Sequence, residues 1–198
     1  YNGLLIWDGE KTIVVDGEAY ESKSLKYECV EGNCQDGQGK YTHDDGSYEG
    51  EFKYGIPHGK GVMTMYRGFL RKNIKYIGEY FFGAAKNVKV KYPDGNIFEG
   101  EYDCNDKRKK GKFTWVNGDF YEGEFNDDMA HGQGKMTLTN GTVSEGEFKN
   151  FKLSGKGIFI NWNGDTYKGN FIDGFLDGEG FFSKSDGTEV SGIFKKDY

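Results

Sequence analysis

Seven copies of one five-residue pattern constrain this chain more than any other feature. Tyr48-Glu49-Gly50-Glu51-Phe52 returns as Tyr76-Ile77-Gly78-Glu79-Tyr80, as Phe98-Glu99-Gly100-Glu101-Tyr102 and as Tyr121-Glu122-Gly123-Glu124-Phe125. It returns again as Ser144-Glu145-Gly146-Glu147-Phe148, Tyr167-Lys168-Gly169-Asn170-Phe171 and Val190-Ser191-Gly192-Ile193-Phe194. Successive starts lie 28, 22 and then four times 23 residues apart. Glycine stands third and an aromatic fifth in every copy. A fixed period of this length marks stacked structural repeats, each too small to bury its own apolar face.

The pattern reads as a strand. Alternate residues of a strand share a face, so positions 1, 3 and 5 look one way and positions 2 and 4, mostly Glu, look the other. The glycine between two aromatics leaves room for rings to lie across the backbone, which recovers part of what an interior glycine loses. A second motif, Gly-x-Gly, follows four of the copies, as Gly59-Lys60-Gly61, Gly132-Gln133-Gly134, Gly155-Lys156-Gly157 and Gly178-Glu179-Gly180, while Val88 replaces its second glycine after Tyr76 and the Phe98 copy reads Lys109-Lys110-Gly111. Two residues beyond it come Met63, Phe113, Met136, Phe159 and Phe182, with Tyr41 and Val90 in matching places. These belong on the inner face of a second strand. The joining turn carries Gly55, Gly83, Asn105, Asp128 and Gly174, types that tolerate positive φ. Phe151 breaks that rule, leaving Asn150 to take the turn role.

Each repeat is therefore one β-hairpin, and a lone hairpin is marginal in water, so neighbours must stack. The expected fold is all-β: an elongated, twisted single-sheet solenoid of antiparallel hairpins. Eight of them, two strands each, would extend roughly 75 Å. Composition agrees. The 198 residues include 32 Gly, only two Pro and 17% aromatics, which excludes both a collagen and a disordered tail.

The combined pattern, an aromatic-x-Gly-x-aromatic strand followed by Gly-x-Gly at 23-residue spacing, resembles the MORN repeat (membrane occupation and recognition nexus). The resemblance covers residues 48–198, with starts at 48, 76, 98, 121, 144, 167 and 190. Residues 1–47 resemble it as degenerate N-terminal hairpins, with candidate starts at Tyr1, Tyr20 or Leu25. Eight or nine repeats are expected. The resemblance implies an interaction or dimerising module. MORN arrays are often attached to catalytic domains such as lysine methyltransferases and phosphoinositide kinases, and no such domain is recognised in this chain. Some members were proposed to bind phospholipids; others bind partner helices or self-associate.

Charge divides the chain. The net charge is −6, which argues against a nucleic-acid partner, yet residues 67–112 hold twelve basic and six acidic residues. Lys107, Arg108, Lys109, Lys110 and Lys112 form the candidate lipid-headgroup site, since basic clusters of this size suit anionic membrane surfaces. The long 28-residue step contains an insertion at Phe69–Lys75. Its Phe69, Leu70 and Ile74, together with Phe194 near an open strand edge, are the candidate protein contacts.

No catalytic or cofactor site is read from the sequence. Gly132-Gln133-Gly134-Lys135 lacks the spacing and following helix of a phosphate loop. The Glu-Gly-Glu pairs recur in most repeats, whereas an active site is a single concave constellation. His58 and His131 share one repeat position, which suits turn chemistry, and no histidine–cysteine spacing matches a zinc site. The three cysteines, Cys29, Cys34 and Cys104, are expected as reduced thiols in a cytoplasmic protein, with local pairing of Cys29 and Cys34 the alternative in an oxidising compartment. The reading is thus a non-enzymatic cytoplasmic scaffold, binding a protein partner or a second copy of itself. The alternatives are a peripheral module on anionic phospholipid and the regulatory array of a larger enzyme.

Overall fold

The computed structural model describes residues 3–7, 10–15, 18–22, 28–43, 46–67, 72–102 and 107–195. Tyr1, Leu25, Phe69, Leu70, Cys104 and Asn105, all singled out above, lie outside the described residues. Among the described residues there are strands and turns and no helix.

The N-terminal strands β1 (Gly3–Trp7), β2 (Glu10–Val15) and β3 (Glu18–Ser22) form a three-stranded antiparallel sheet. A second, 15-stranded antiparallel sheet begins with β4 (Glu28–Gly32), β5 (Gly37–His43), β6 (Gly46–Lys53) and β7 (Ile56–Arg67). It continues with β8 (Lys72–Phe81), β9 (Ala84–Lys91), β10 (Ile97–Tyr102), β11 (Arg108–Thr114) and β12 (Phe120–Asn126). It ends with β13 (Met129–Thr137), β14 (Val143–Lys149), β15 (Lys152–Ile160), β16 (Thr166–Ile172), β17 (Phe175–Ser183) and β18 (Glu189–Phe194). The strands lie in sequence order, as short hairpin connections require. The chain divides into two compact units, residues 1–94 with 99–106, and residues 95–98 with 107–198.

Register places the repeat glycines opposite one another. In the second compact unit Gly111, Gly123, Gly134, Gly146, Gly157, Gly169, Gly180 and Gly192 face each other across eight consecutive strands. In the first, Gly39, Gly50, Gly61 and Gly78 do the same, and Val88 takes the next place. Where a hairpin folds back on itself the register shifts by two residues just after the glycine, as between Gly123 and Phe125, where two steps on one strand oppose four on the other. Such bulges sharpen the strand's twist.

The core is the face of positions 1 and 5, as the alternation predicts. Tyr48, Phe98 and Tyr121 are fully buried, and Phe52, Tyr76, Tyr80, Tyr102, Phe125, Phe148 and Phe171 nearly so. Their rings meet edge to face at about the optimal separation: Tyr48–Phe52, Tyr48–Tyr80, Tyr121–Phe125 and Tyr121–Phe148 are each 5.1 Å apart. The glycines make this possible. A Cβ on Gly61 would collide with the Tyr48 ring, and one on Gly134 with the Tyr121 ring. The ring thus lies over the glycine of the next strand. Its hydroxyl donates to a backbone carbonyl, Glu51 for Tyr48 (3.0 Å) and Glu124 for Tyr121 (2.9 Å). Burial, with the nearby Glu124 carboxylate, pushes the Tyr121 phenol up to about 12.

The turns settle the Phe151 exception. Each tight turn holds two residues at positive φ: Tyr54 and Gly55, Phe82 and Gly83, Asp127 and Asp128, Asn150 and Phe151, Asp173 and Gly174. These are the paired positive angles of a two-residue hairpin turn. Phe151 adopts φ 65° although it is not glycine. Its ring packs on Trp115 (5.9 Å) and Tyr121 (6.3 Å), and its N–H donates to the Ala130 carbonyl (3.1 Å). Tertiary contacts thus offset a local strain of about 1–2 kcal/mol.

One expectation is corrected. Cys29 and Cys34 are not separate thiols: their sulfurs are bonded, at 2.11 Å, across the turn between β4 and β5. Cys29 stands in β4 and Cys34 in the turn that follows it, and the chain's return there brings their Cα atoms to 6.0 Å, within bonding reach.

Candidate functional site

Positions 2 and 4 of the first strand, and the residues flanking the second Gly-x-Gly glycine, form the outer face. Pairing arranges them in two rows beside the glycine line. In the second compact unit one row runs Lys112, Glu122, Lys135, Glu145, Ile158, Lys168, Phe181. The other contains Lys110, Glu124, Gln133, Glu147, Lys156, Asn170 and Glu179. Between them lies an open trough floored by Gly111, Gly123, Gly134, Gly146, Gly157 and Gly169. A smaller trough of the same construction occupies the first unit, walled by Glu49, Lys60, Val62, Ile77 and Glu79 over Gly50, Gly61 and Gly78.

The two acidic positions do different work. Position 2 makes cross-strand ion pairs: Lys40–Glu49 (3.4 Å), Lys89–Glu99 (2.9 Å) and Lys135–Glu145 (3.0 Å). These are exposed and each contributes little, of order 0.2–1 kcal/mol. Position 4 is structural. The Glu51 carboxylate accepts the Lys60 N–H (3.0 Å). Carboxylates of Glu51, Glu124 and Glu147 sit over Gly59, Gly132 and Gly155, whose φ values of 64°, 63° and 125° suit glycine. Alternation alone assigns Glu51, Glu124 and Glu147 to solvent; their contact with the first Gly-x-Gly glycine of the next strand is visible only in the structure.

The five basic candidates do not share one environment. Arg108 points into the aromatic layer, its guanidinium 4.5 Å from the Phe113 ring centre and 5.2 Å from that of Phe125. It donates from Nε to Asp128 Oδ1 (3.1 Å) and from an Nη to the Asp128 carbonyl (2.6 Å). Lys107 Nζ lies 3.5 Å from Asp128 Oδ2. Burial alone would raise the Asp128 pKa, but the hydrogen bonds from Arg108 outweigh it and hold the carboxyl below its ordinary value. Lys112 Nζ stands 4.0 Å from the Phe120 ring centre. Lys109 and Lys110 are exposed. Sequence reading missed Asp128 as the anchor because it lies 20 residues away, across two strands.

The protein-contact candidates also separate. Ile74 sits in β8 opposite Met65 and is half-buried, because the insertion lengthens the β7–β8 hairpin. Phe194 ends β18, half-buried opposite Gly178. Outer-face positions filled by apolar residues include Val62 and the exposed Ile77 in the first unit, and the half-buried Ile158 and Phe181 and the exposed Ile193 in the second. Their signal in the sequence is a Glu or Lys position filled by an apolar residue.

Among the described residues no group of three or more His, Cys, Asp or Glu side chains is arranged to hold a metal ion. His58 is half-buried against Phe81 (5.5 Å) and Phe82 (4.8 Å), with no hydrogen-bond partner for its Nδ1. Burial, and then the charge of Lys53, lower its pKa. The remaining titratable groups with lowered pKa, Asp119, Asp165 and Asp186, are exposed turn residues. Asp119 accepts the Thr139 N–H (2.7 Å) and Asp165 the Ser185 N–H (3.0 Å), tying each turn to the next.

A search among curated proteins returns no match. The family model for the MORN repeat matches residues 35–47, 48–68, 110–120, 121–143 and 167–189. Its boundaries at 48, 121 and 167 coincide with strand starts read from the five-residue pattern, and the segments between, at 144–166 for example, keep the same hairpin register. MORN repeats serve in protein and membrane interaction modules and are generally non-catalytic. Matched in five segments and built of glycine-aligned hairpins, the chain is a MORN-repeat protein.

Proposed function

We propose that this chain is a non-catalytic scaffold that docks a segment of a partner protein along the outer trough of the second compact unit. The observation that carries the reading is the trough itself. One wall alternates Lys112, Glu122, Lys135 and Glu145 and then runs Ile158, Lys168, Phe181, so two apolar side chains flank a lysine toward its far end, over a floor of backbone. Alternating charge beside two apolar side chains fits a polypeptide of mixed sequence better than a uniformly anionic surface. Side chains set in a line confer specificity, and the apolar positions supply the anchors.

The placement of Arg108 supports the same choice. A lipid-headgroup site needs several mobile cations presented together. Arg108 and Lys107 are instead engaged with Asp128, and Lys112 with a ring.

Affinity capture from the native extract, repeated with I158K, with E145K and with a K109E/K110E variant, tests the reading. The expected result is a partner lost with I158K and weakened with E145K but retained with K109E/K110E. Capture indifferent to both trough variants, together with binding to phosphatidylserine vesicles that K109E/K110E abolishes, would replace the protein partner with a membrane.

A further inference from the structure

We propose that Asn140 carries an N-linked glycan, attached in the oxidising compartment where Cys29 and Cys34 become bonded. Two independent observations point there. Disulfides form and persist in oxidising surroundings such as the secretory lumen, and Cys29 is bonded to Cys34. Asn140-Gly141-Thr142 is the one Asn-x-Ser/Thr triplet in the chain, and that triplet is the acceptor for N-glycosylation.

The structure puts the triplet where a glycan fits. It lies in the loop, residues 138–142, that joins β13 to β14. The Leu138 N–H donates to the Thr142 carbonyl (2.9 Å) and the Gly141 N–H to the Leu138 carbonyl (3.0 Å). The Thr142 N–H donates to Asn140 Oδ1 (2.9 Å), and Asn140 stays exposed. Thr142 is buried once the loop closes, so the transferase reads the triplet before this hairpin folds.

This loop also departs from its counterparts. Elsewhere the last residue of one loop ties down the second residue of the next. Asn96 Oδ1 accepts the Val116 N–H (2.9 Å), Asp119 Oδ1 the Thr139 N–H (2.7 Å) and Asp165 Oδ1 the Ser185 N–H (3.0 Å). Thr142 holds the corresponding place without an amide or carboxylate, and among the described residues no such bond joins it to Trp162. The space differs accordingly. A Cβ on Gly95, Gly118 or Gly164 would meet Val116, Thr139 or Ser185 of the following loop, whereas one on Gly141 would meet nothing within 4 Å. Trp162 is 72% exposed beside that opening, an aromatic surface of the kind on which sugar rings pack. A local rule is broken at the one residue that completes the acceptor triplet, and such breaks are expected at functional positions.

The donor is an oligosaccharide carried on a polyisoprenyl pyrophosphate. Asn140 Nδ2 attacks the anomeric carbon of its first sugar. The new N–C bond forms as the C–O bond to the pyrophosphate breaks, the lipid pyrophosphate leaves with the electron pair, and Nδ2 gives up one proton.

Peptide mass spectrometry of the full-length protein isolated from its own cells tests the site. The tryptic peptide 136–149 should carry an added N-acetylhexosamine-based mass. Peptides holding Asn117 and Asn163, which share the Asn-Gly loop but lack the Ser/Thr, should be bare. N140Q and T142A should lose the added mass, and T142S should keep it. Alkylation before reduction should leave Cys29 and Cys34 unlabelled. A bare 136–149 peptide would overturn the proposal, and conversion of Asn140 to Asp with no sugar attached counts as bare. So would an added mass that survives N140Q or T142A, or labelling of either cysteine. The loop edge is separate from the trough, so neither outcome bears on the docking reading.

Discussion

At the residue scale the repeat glycines are not equivalent, though the sequence writes them identically. Gly134 lies under the Tyr121 ring, whereas Gly192 has open space above it. Gly134→Ala should therefore destabilise the fold by about 1–3 kcal/mol, the range for overpacking a filled core. Gly192→Ala should stay within about 0.5 kcal/mol. Urea denaturation of both variants checks the contrast; equal effects would refute the ring-over-glycine account. His58 supplies a pH prediction. Its folded pKa lies below the ordinary 6.5, so the fold holds the neutral ring. That contribution is fully present above the unfolded value and is lost as pH falls through 6.5 toward the folded pKa. The denaturation midpoint should drop between pH 8 and pH 5, and His58→Phe should flatten the slope in that window. The position-1 aromatics and position-3 glycines were legible from period and alternation. What fills the space over each glycine was not. Tyr48 and Tyr121 enter it where the residue opposite position 5 is Pro57 or Ala130. Leu153 and Leu176 enter it instead at Gly157 and Gly180. The correlation is written in the sequence, but only packing shows that ring and leucine compete for one site.

At the element scale each hairpin is held by its turn and by one contact reaching back to an earlier strand. The Asn150–Phe151 turn depends on the Phe151 ring as much as on local chemistry. Phe151→Asn removes the strain yet loses the ring contacts, and should destabilise by about 1–2 kcal/mol. A stabilised variant, read by thermal or urea unfolding, would show that the strain outweighs the packing. Asp128 ties its turn to β11 through Arg108. Its depressed pKa means the tie is present above the ordinary carboxylate range and is lost as pH falls through the folded value. Asp128→Asn should therefore reduce the slope of acid unfolding below pH ~4 while lowering stability at neutral pH. The basic run at Lys107–Lys112 reads in sequence as one patch. In the strand it splits, because alternation and the pull of Asp128 send neighbouring cations to different surroundings.

At the scale of the whole molecule, stacked hairpins exchange stability mainly with their neighbours. Gly134→Ala should accelerate amide exchange in β12, β13 and β14 well before it alters exchange in β5 and β6. A uniform increase along the chain would mean cooperative unfolding of the entire array. The sequence by itself determined that this chain is a run of antiparallel hairpins, because a 23-residue period of alternating aromatic and charged residues admits no other way to bury every aromatic face. It also determined where each hairpin begins and which residues turn inward. Tertiary structure decided the rest: that Cys29 and Cys34 are bonded, that position-4 glutamates cover a glycine of the following strand, that Arg108 packs against rings, and that Ile158 and Phe181 interrupt a charged outer face. These depend on which residues stand opposite one another across strands, and register is a property of paired strands that no single strand's pattern contains.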